Sequence, residues 1–408
     1  MKKYFFFAAA ALLALAACSK VTPVELPDEE ISFKVINYVN STKADGQGTG
    51  ADEHLPAHNN LTNDFGVYAF MTNDTPWAEW GTDNDLVVYM PGVQVSPVQS
   101  AGTAWAPVSK YYWPKKGLLT FAAWSPFAAT PSSYAWDADD DDENVFSKVF
   151  TYTDFEVASK DSGDADYVDL MISDLAKNYT KQKEADLVDA DRHFADNGVP
   201  MLFRHILTKL VFQFKEAAYP ETYTTDPDGE DGPKKPTVDI DQSSITITEV
   251  KLVNFVAKNT YSGGAWTVNT TAGDGEYVLS NPDVLKPTNA TGGENAKASA
   301  TEPMILPQTL MDKSEESYQA LYIKYNITTY YNEGGEVTEE DVEATVPFYG
   351  SLIDNTDPDV PVAYDNKFEM NKKIVFTVTI SPFANDEIKF DPAVVPWETD
   401  ITGAIEVK

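Results

Sequence analysis

The residues that could carry acid–base, nucleophilic or metal chemistry are few in one respect and abundant in another. The chain has four histidines, His54, His58, His193 and His205, and one cysteine, Cys18. A nucleophile-and-base pair would have to draw on those imidazoles. His205 lies in Leu202-Phe203-Arg204-His205-Ile206-Leu207, where apolar neighbours point to a hydrogen-bonded core histidine rather than a base. His54 and His58 share a segment with Asp52 and Glu53, and one cysteine rules out a thiolate zinc cluster. HExxH, GxSxG, the Walker loop and the dinucleotide fingerprint are all missing; Gly46, Gly48 and Gly50 form a G-x-G-x-G with the wrong spacing. Carboxylates are plentiful, so a glycoside-hydrolysing pair cannot be picked out by sequence. Two acidic runs, Asp137 to Glu143 and Asp226 to Asp231, offer the hard oxygens that calcium takes. Both lack the ligand order and closing glutamate of an EF-hand, and both read as solvated, self-repelling loops. No catalytic, cofactor-binding or metal-binding residue is expected.

The overall balance narrows the partners. The chain of 408 residues carries 30 Lys plus Arg against 64 Asp plus Glu, a formal net charge of −34. Displacing counterions from a phosphate backbone needs clustered cations, so nucleic acid is excluded as a partner. Hydrophobic residues make up 43% and aromatics 12%, enough to build buried cores. At roughly 150 residues per domain, the length suits two domains.

The first residues set the compartment. Lys2 and Lys3 precede an apolar run from Tyr4 to Ala17, followed by Cys18. At about 1.5 Å per residue such a run falls short of the roughly 30 Å hydrocarbon core and reads as a signal-peptide core. Leu15-Ala16-Ala17-Cys18 resembles a bacterial lipobox, which implies removal of residues 1–17, lipidation at Cys18 and a membrane anchor. The polar, Pro-punctuated stretch of residues 18–30 then serves as a lipidated tether.

Beyond the tether the dominant period is two. Ile31, Phe33 and Val35 alternate with Ser32 and Lys34, and Leu119, Phe121 and Ala123 alternate with Leu118, Thr120 and Ala122. Such runs, bounded by Gly, Pro, Asn and Asp, are strands. Further strands are expected at Val67 to Met71, Leu86 to Met90, Leu210 to Lys215, Ile245 to Val250, Tyr322 to Tyr330, Val342 to Pro347 and Ile374 to Ile380. The best helical candidate is Ala165 to Lys181, whose Asp166 to Met171 also fits a strand. With 25 prolines and many short strands, the pattern predicts an all-β chain of sandwiches with Greek-key connections. Residues 217–239 hold four prolines and no apolar period, and are either a linker or a long hairpin loop. The expected domains are thus residues 31–216 and 240–408.

Several segments together resemble the fimbrillin family, lipoprotein subunits of the type V pili of Bacteroidota. Tyr111-Tyr112-Trp113-Pro114-Lys115-Lys116-Gly117 leads into Leu118-Leu119-Thr120-Phe121-Ala122-Ala123-Trp124-Ser125-Pro126. Asp169-Leu170-Met171, Val199 to Leu210, Glu249 to Asn254, Ile305-Leu306-Pro307-Gln308 and Val394-Val395-Pro396-Trp397 follow in the family's order. The resemblance implies two transthyretin-like Greek-key β-sandwich domains in tandem and an outer-membrane lipoprotein exposed at the cell surface or in a fimbria. It further implies a first strand removed by proteolysis and replaced by a strand of a neighbouring subunit. Ile31, Phe33 and Val35 are the candidate replaceable strand. The alternating tail Ile401, Gly403, Ile405 and Val407 is either the donor strand or a strand of its own domain. Family maturation follows an arginine after the first strand; here the first arginine is Arg192, so Lys43 is the candidate cleavage site, and an uncleaved member would be an anchor or accessory subunit. The implied partners are other fimbrial subunits, the membrane through the lipid, and, for an adhesive member, a host or bacterial surface glycan or protein. A second reading, from the residues alone, is a surface glycan-binding lipoprotein with Trp77, Trp80, Trp105 and Trp136 as a stacking platform in loops.

Overall fold

The computed structural model describes residues 30–36, 64–81, 86–98, 104–136, 146–157, 168–181, 198–217, 243–279, 285, 302–330, 337–349, 366–380 and 388, and the backbone of strands at 193–194, 297–298, 353–354, 362–363 and 389–395. Apart from one 3-10 turn at Trp77–Glu79, the regular elements among these are strands. The first are β1 (Phe33–Val35), β2 (Phe65–Met71), β3 (Val87–Pro97), β4 (Trp105–Pro107), β5 (Leu119–Ser125), β6 (Ser133–Tyr134), β7 (Phe150–Glu156), β8 (Met171–Ser173) and β9 (Ala176–Thr180). There follow β10 (His193–Phe194), β11 (Val199–Met201), β12 (Phe203–His205), β13 (Thr208–Glu216), β14 (Ser244–Phe255), β15 (Lys258–Ser262), β16 (Ala265–Trp266), β17 (Gly275–Leu279) and β18 (Lys297–Ala298). The last are β19 (Met304–Ile305), β20 (Gln308–Thr309), β21 (Ala320–Tyr330), β22 (Val337–Pro347), β23 (Ile353–Asp354), β24 (Val362–Ala363), β25 (Lys367–Phe368), β26 (Lys372–Ile380) and β27 (Lys389–Val395). The helical candidate at 165–181 is corrected: its described part forms β8 and β9, because Met171, Ile172 and Ser173 are all buried, whereas an amphipathic helix would turn some of them outward.

The N-terminal strands form one ten-stranded sheet in the order β10-β9-β5-β2-β3-β4-β1-β11, with β8 joining β5 to β12. Period-two alternation decides its packing. Phe65, Val67 and Ala69 of β2 and Leu119, Phe121 and Ala123 of β5 enter one cluster with Ile31, Phe33, Trp105, Val199 and Phe203. Phe70, Ala122 and Trp124, on the opposite face, enter a second and larger cluster. Strand β5 is therefore buried along its whole length, as expected of a run apolar on both faces. Phe33 of β1 meets Phe121 of β5 edge to face at 5.5 Å although three strands separate them in the sheet. The sheet therefore curls round its own cluster. Gly66 is required where the Trp124 indole crosses β2, since a Cβ there would lie 2.0 Å from the ring.

Two further sheets face each other. One runs β18-β13-β26-β27, with β19 also on β13, and the other β17-β14-β21-β22. Phe212 of β13 stacks on Phe376 of β26 at 5.3 Å, and Phe348 lies against both Phe376 (5.1 Å) and Phe255 of β14 (5.8 Å). A small sheet in the order β16-β15-β7-β6 ties early sequence to late through the β7–β15 ladder. The boundary expected after residue 216 is likewise crossed. Strand β13, assigned to the first domain by sequence, pairs with β18, β19 and β26. Parallel pairing with so distant a strand leaves no local signal from which to place it.

Candidate functional site

The site with the clearest chemistry is a slot occupied by β1. Ile31, Phe33 and Val35 point inward and are 1%, 1% and 5% exposed, while Ser32, Lys34 and Ile36 between them are half-buried. The backbone is held on both sides. Phe33 lies opposite Trp105 of β4, and β1 runs parallel to β11 with Phe33, Lys34 and Val35 opposite Val199, Pro200 and Met201. The Ile31 N–H donates to the Tyr111 carbonyl (2.8 Å), the Val199 N–H to the Ser32 carbonyl (2.8 Å) and the Ile36 N–H to the Met201 carbonyl (3.0 Å). Gly198 makes the approach of β11 workable: its φ is 86°, and a Cβ there would come within 3.1 Å of the Phe33 carbonyl carbon.

The floor of the slot is aromatic. Phe33 makes edge contacts with Phe65 (5.9 Å) and Phe121 (5.5 Å), and Phe65 in turn touches Trp105 and Phe203, each at 5.3 Å. Such edge-to-face pairs add to area burial and fix a ring's position. At the mouth, Glu30 accepts a charged hydrogen bond from Lys110 and another from the Tyr112 hydroxyl (3.4 Å). That carboxylate holds the Lys110 ammonium above the usual lysine range. Burial likewise pushes the Tyr179 hydroxyl, beside the cluster, up to about 12. Chemically, the arrangement offers backbone donors and acceptors along two edges of β1 and an apolar floor for its alternate side chains.

The structure places the candidate strand Ile31, Phe33 and Val35 together in this slot. Cys18, Lys43 and the tail residues Ile401, Gly403, Ile405 and Val407 lie outside the described residues, as do His54, His58 and both acidic runs. His205 is fully buried with Nδ1 2.6 Å from Asp169 Oδ1, and the Arg204 guanidinium beside it binds Asp174 bidentately at 2.6 and 2.9 Å. The tryptophan platform is corrected. Trp77, Trp80 and Trp105 are core residues at 1%, 8% and 1% exposure, and Trp136 is half-buried with its indole N–H donating to the Trp77 carbonyl. The residues that sequence reasoning missed are the slot walls, Phe65, Trp105, Val199, Met201 and Phe203. They come from four strands, β2, β4, β11 and β12, and the sequence placed Trp105 in a loop rather than in the core.

Residues 55–397 match the family model described as fimbrillin-like, and the chain belongs to that family. Among solved structures it is similar to a candidate cell adhesion protein from Bacteroides uniformis (16% identity, 91% of this chain and 100% of that one, TM-score 0.44). It is also similar to two proteins of Porphyromonas gingivalis. These are the tip fimbrial protein Mfa3 (9% identity, 90% and 98% covered, TM-score 0.36) and the fimbrial anchor protein Mfa2 (12% identity, 90% and 97% covered, TM-score 0.28). No curated protein sequence matches the chain.

Proposed function

We propose that this chain is a structural or adhesive subunit of a cell-surface fimbria, made as an outer-membrane lipoprotein anchored through Cys18 and joined to other fimbrial subunits by β-strand complementation. It acts by assembly and not by catalysis. Family membership supports the fimbrial part. The observation that carries the assembly part is β1 itself, a strand of three residues with its inward side chains sunk in an aromatic slot and its backbone held by two neighbours. Cleavage at Lys43 would free β1, and the slot would then take alternate side chains of an incoming strand. Ile401, Gly403, Ile405 and Val407 are the strand this chain would offer in turn. Without cleavage the chain serves as an anchor or accessory subunit.

Limited trypsin digestion tests the first step. Lys43 should be cut before Arg192, Lys234 and Lys235, and resistance at Lys43 would remove the case for a replaceable β1. Deleting residues 401–408 tests the second. Lost polymer ladders with an unchanged melt support a donor tail, whereas a collapsed melt makes the tail a strand of its own domain. Cys18→Ala should remove the protein from the membrane fraction, and unchanged fractionation would overturn the lipid anchor.

A further inference from the structure

We infer that β22 is an edge closed by charge to a second copy of this chain, so that strand addition to the β17-β14-β21-β22 sheet is blocked. Strand β22 is eleven residues long and, among the described residues, pairs with β21 alone. Its residues are exposed from Val337 to Asp341 and alternate between half-buried and exposed from Val342 to Val346, so the outer edge of this stretch faces water. A long strand with one free row of backbone donors and acceptors is a template for another strand.

The side chains on that edge oppose such pairing. Glu339, Glu340, Asp341 and Glu343 fall within one short stretch. Lys324 of β21 binds Glu343 at 2.7 Å, and Asn326 donates to Asp341 at 3.2 Å, so the neighbouring strand offsets part of this charge but little around Glu339 and Glu340. Glu340 stands opposite Ile327, on the side of the sheet where Ile323, Tyr325 and Ile327 of β21 enter the core, yet it remains exposed. An exposed acid at the rim of the core face is poorly placed to accept a strand whose apolar residues would extend that core.

Self-pairing is the arrangement the pattern penalises most. In a two-fold antiparallel pairing centred on Glu339, Glu340, Asp341 or Glu343, that acid meets its own copy. Centred on Val342, Asp341 meets Glu343. A parallel pairing in register sets every acid against itself. Like charges directly opposite destabilise a ladder, and the net charge of −34 adds general repulsion. The inference concerns a different edge from the β1 slot and stands whether or not the fimbrial reading does.

The test uses the full chain and two variants, E339T/E340T/D341T and E339K/E340K/D341K/E343K, each checked for a wild-type-like melt and followed by sedimentation velocity. The threonine variant should associate with itself as concentration rises. The lysine variant should remain single alone, yet form a one-to-one complex with wild type that dissolves in about 1 M salt, where charges are screened within roughly 3 Å. If the lysine variant and wild type sediment independently when mixed at low salt, the edge is not free and the inference is overturned, whatever the threonine variant does. The same holds if the threonine variant folds normally and sediments as wild type does.

Discussion

Strands β1 and β13 both run through buried ground, and each pairs in parallel with a strand distant in sequence. They are fixed in different ways. The β1–β11 register covers three residues, with one further pair to β4, whereas β13 and β26 match over nine consecutive residues from Thr208↔Lys372 to Glu216↔Ile380. Strand β1 is held mainly by three side chains in a floor built by other strands; β13 is held by a long ladder and by phenylalanines shared with both sheets of its sandwich. The first kind of attachment rests on a floor built by other strands and on a three-residue register. The second cannot be removed without dismantling its sheet.

The largest expected effect lies on the β13 side. Phe376→Ala empties a site between Phe212 and Phe348 and should cost about 3–5 kcal/mol, read as a lowered urea midpoint of the whole protein. Phe33→Ala should cost about 3 kcal/mol, with a more local signature. Hydrogen exchange at the Ile31, Ile36 and Val199 amides should accelerate while the β13 amides keep their protection. Equal acceleration along β13 would break the comparison by making β1 part of the same cooperative unit. Alkaline pH sharpens it further. Because burial raises Tyr179 to about 12, its contribution is complete below the ordinary tyrosine pKa near 10 and is lost as pH rises through that window. The loss should reach about 3 kcal/mol, and Tyr179→Phe should flatten it in a series of alkaline melts. The smallest effect is at the exposed Lys324–Glu343 pair, where Lys324→Ala should leave both the melt and the exchange pattern unchanged.

Much of the fold was legible because side-chain alternation reports burial directly. The runs of β2, β5, β13, β14, β21 and β26 lie where period two and apolar content place them. Pro307 falls between β19 and β20, as a residue that cannot donate to a ladder should. The candidate strand Ile31, Phe33 and Val35 was legible for the same reason, but its slot was not. Parallel partners such as Val199 and Met201 have no hairpin turn to announce them. The tryptophans misled because Pro76 and the Gly- and Asp-rich neighbourhood of Trp77 and Trp80 suggested exposed loops. These segments instead fold back, and large indoles gain more from burial than polar neighbours lose.

The nine-residue parallel ladder between β13 and β26 also bears on the order in which the chain can fold. A strand that must wait for Lys372 to Ile380 cannot find its partner before those residues have been synthesised, and closing so large a loop slows the search. The sheet bearing β13 therefore closes only once nearly the whole chain is available, whereas hairpins such as β2–β3 and β21–β22 need only their own residues.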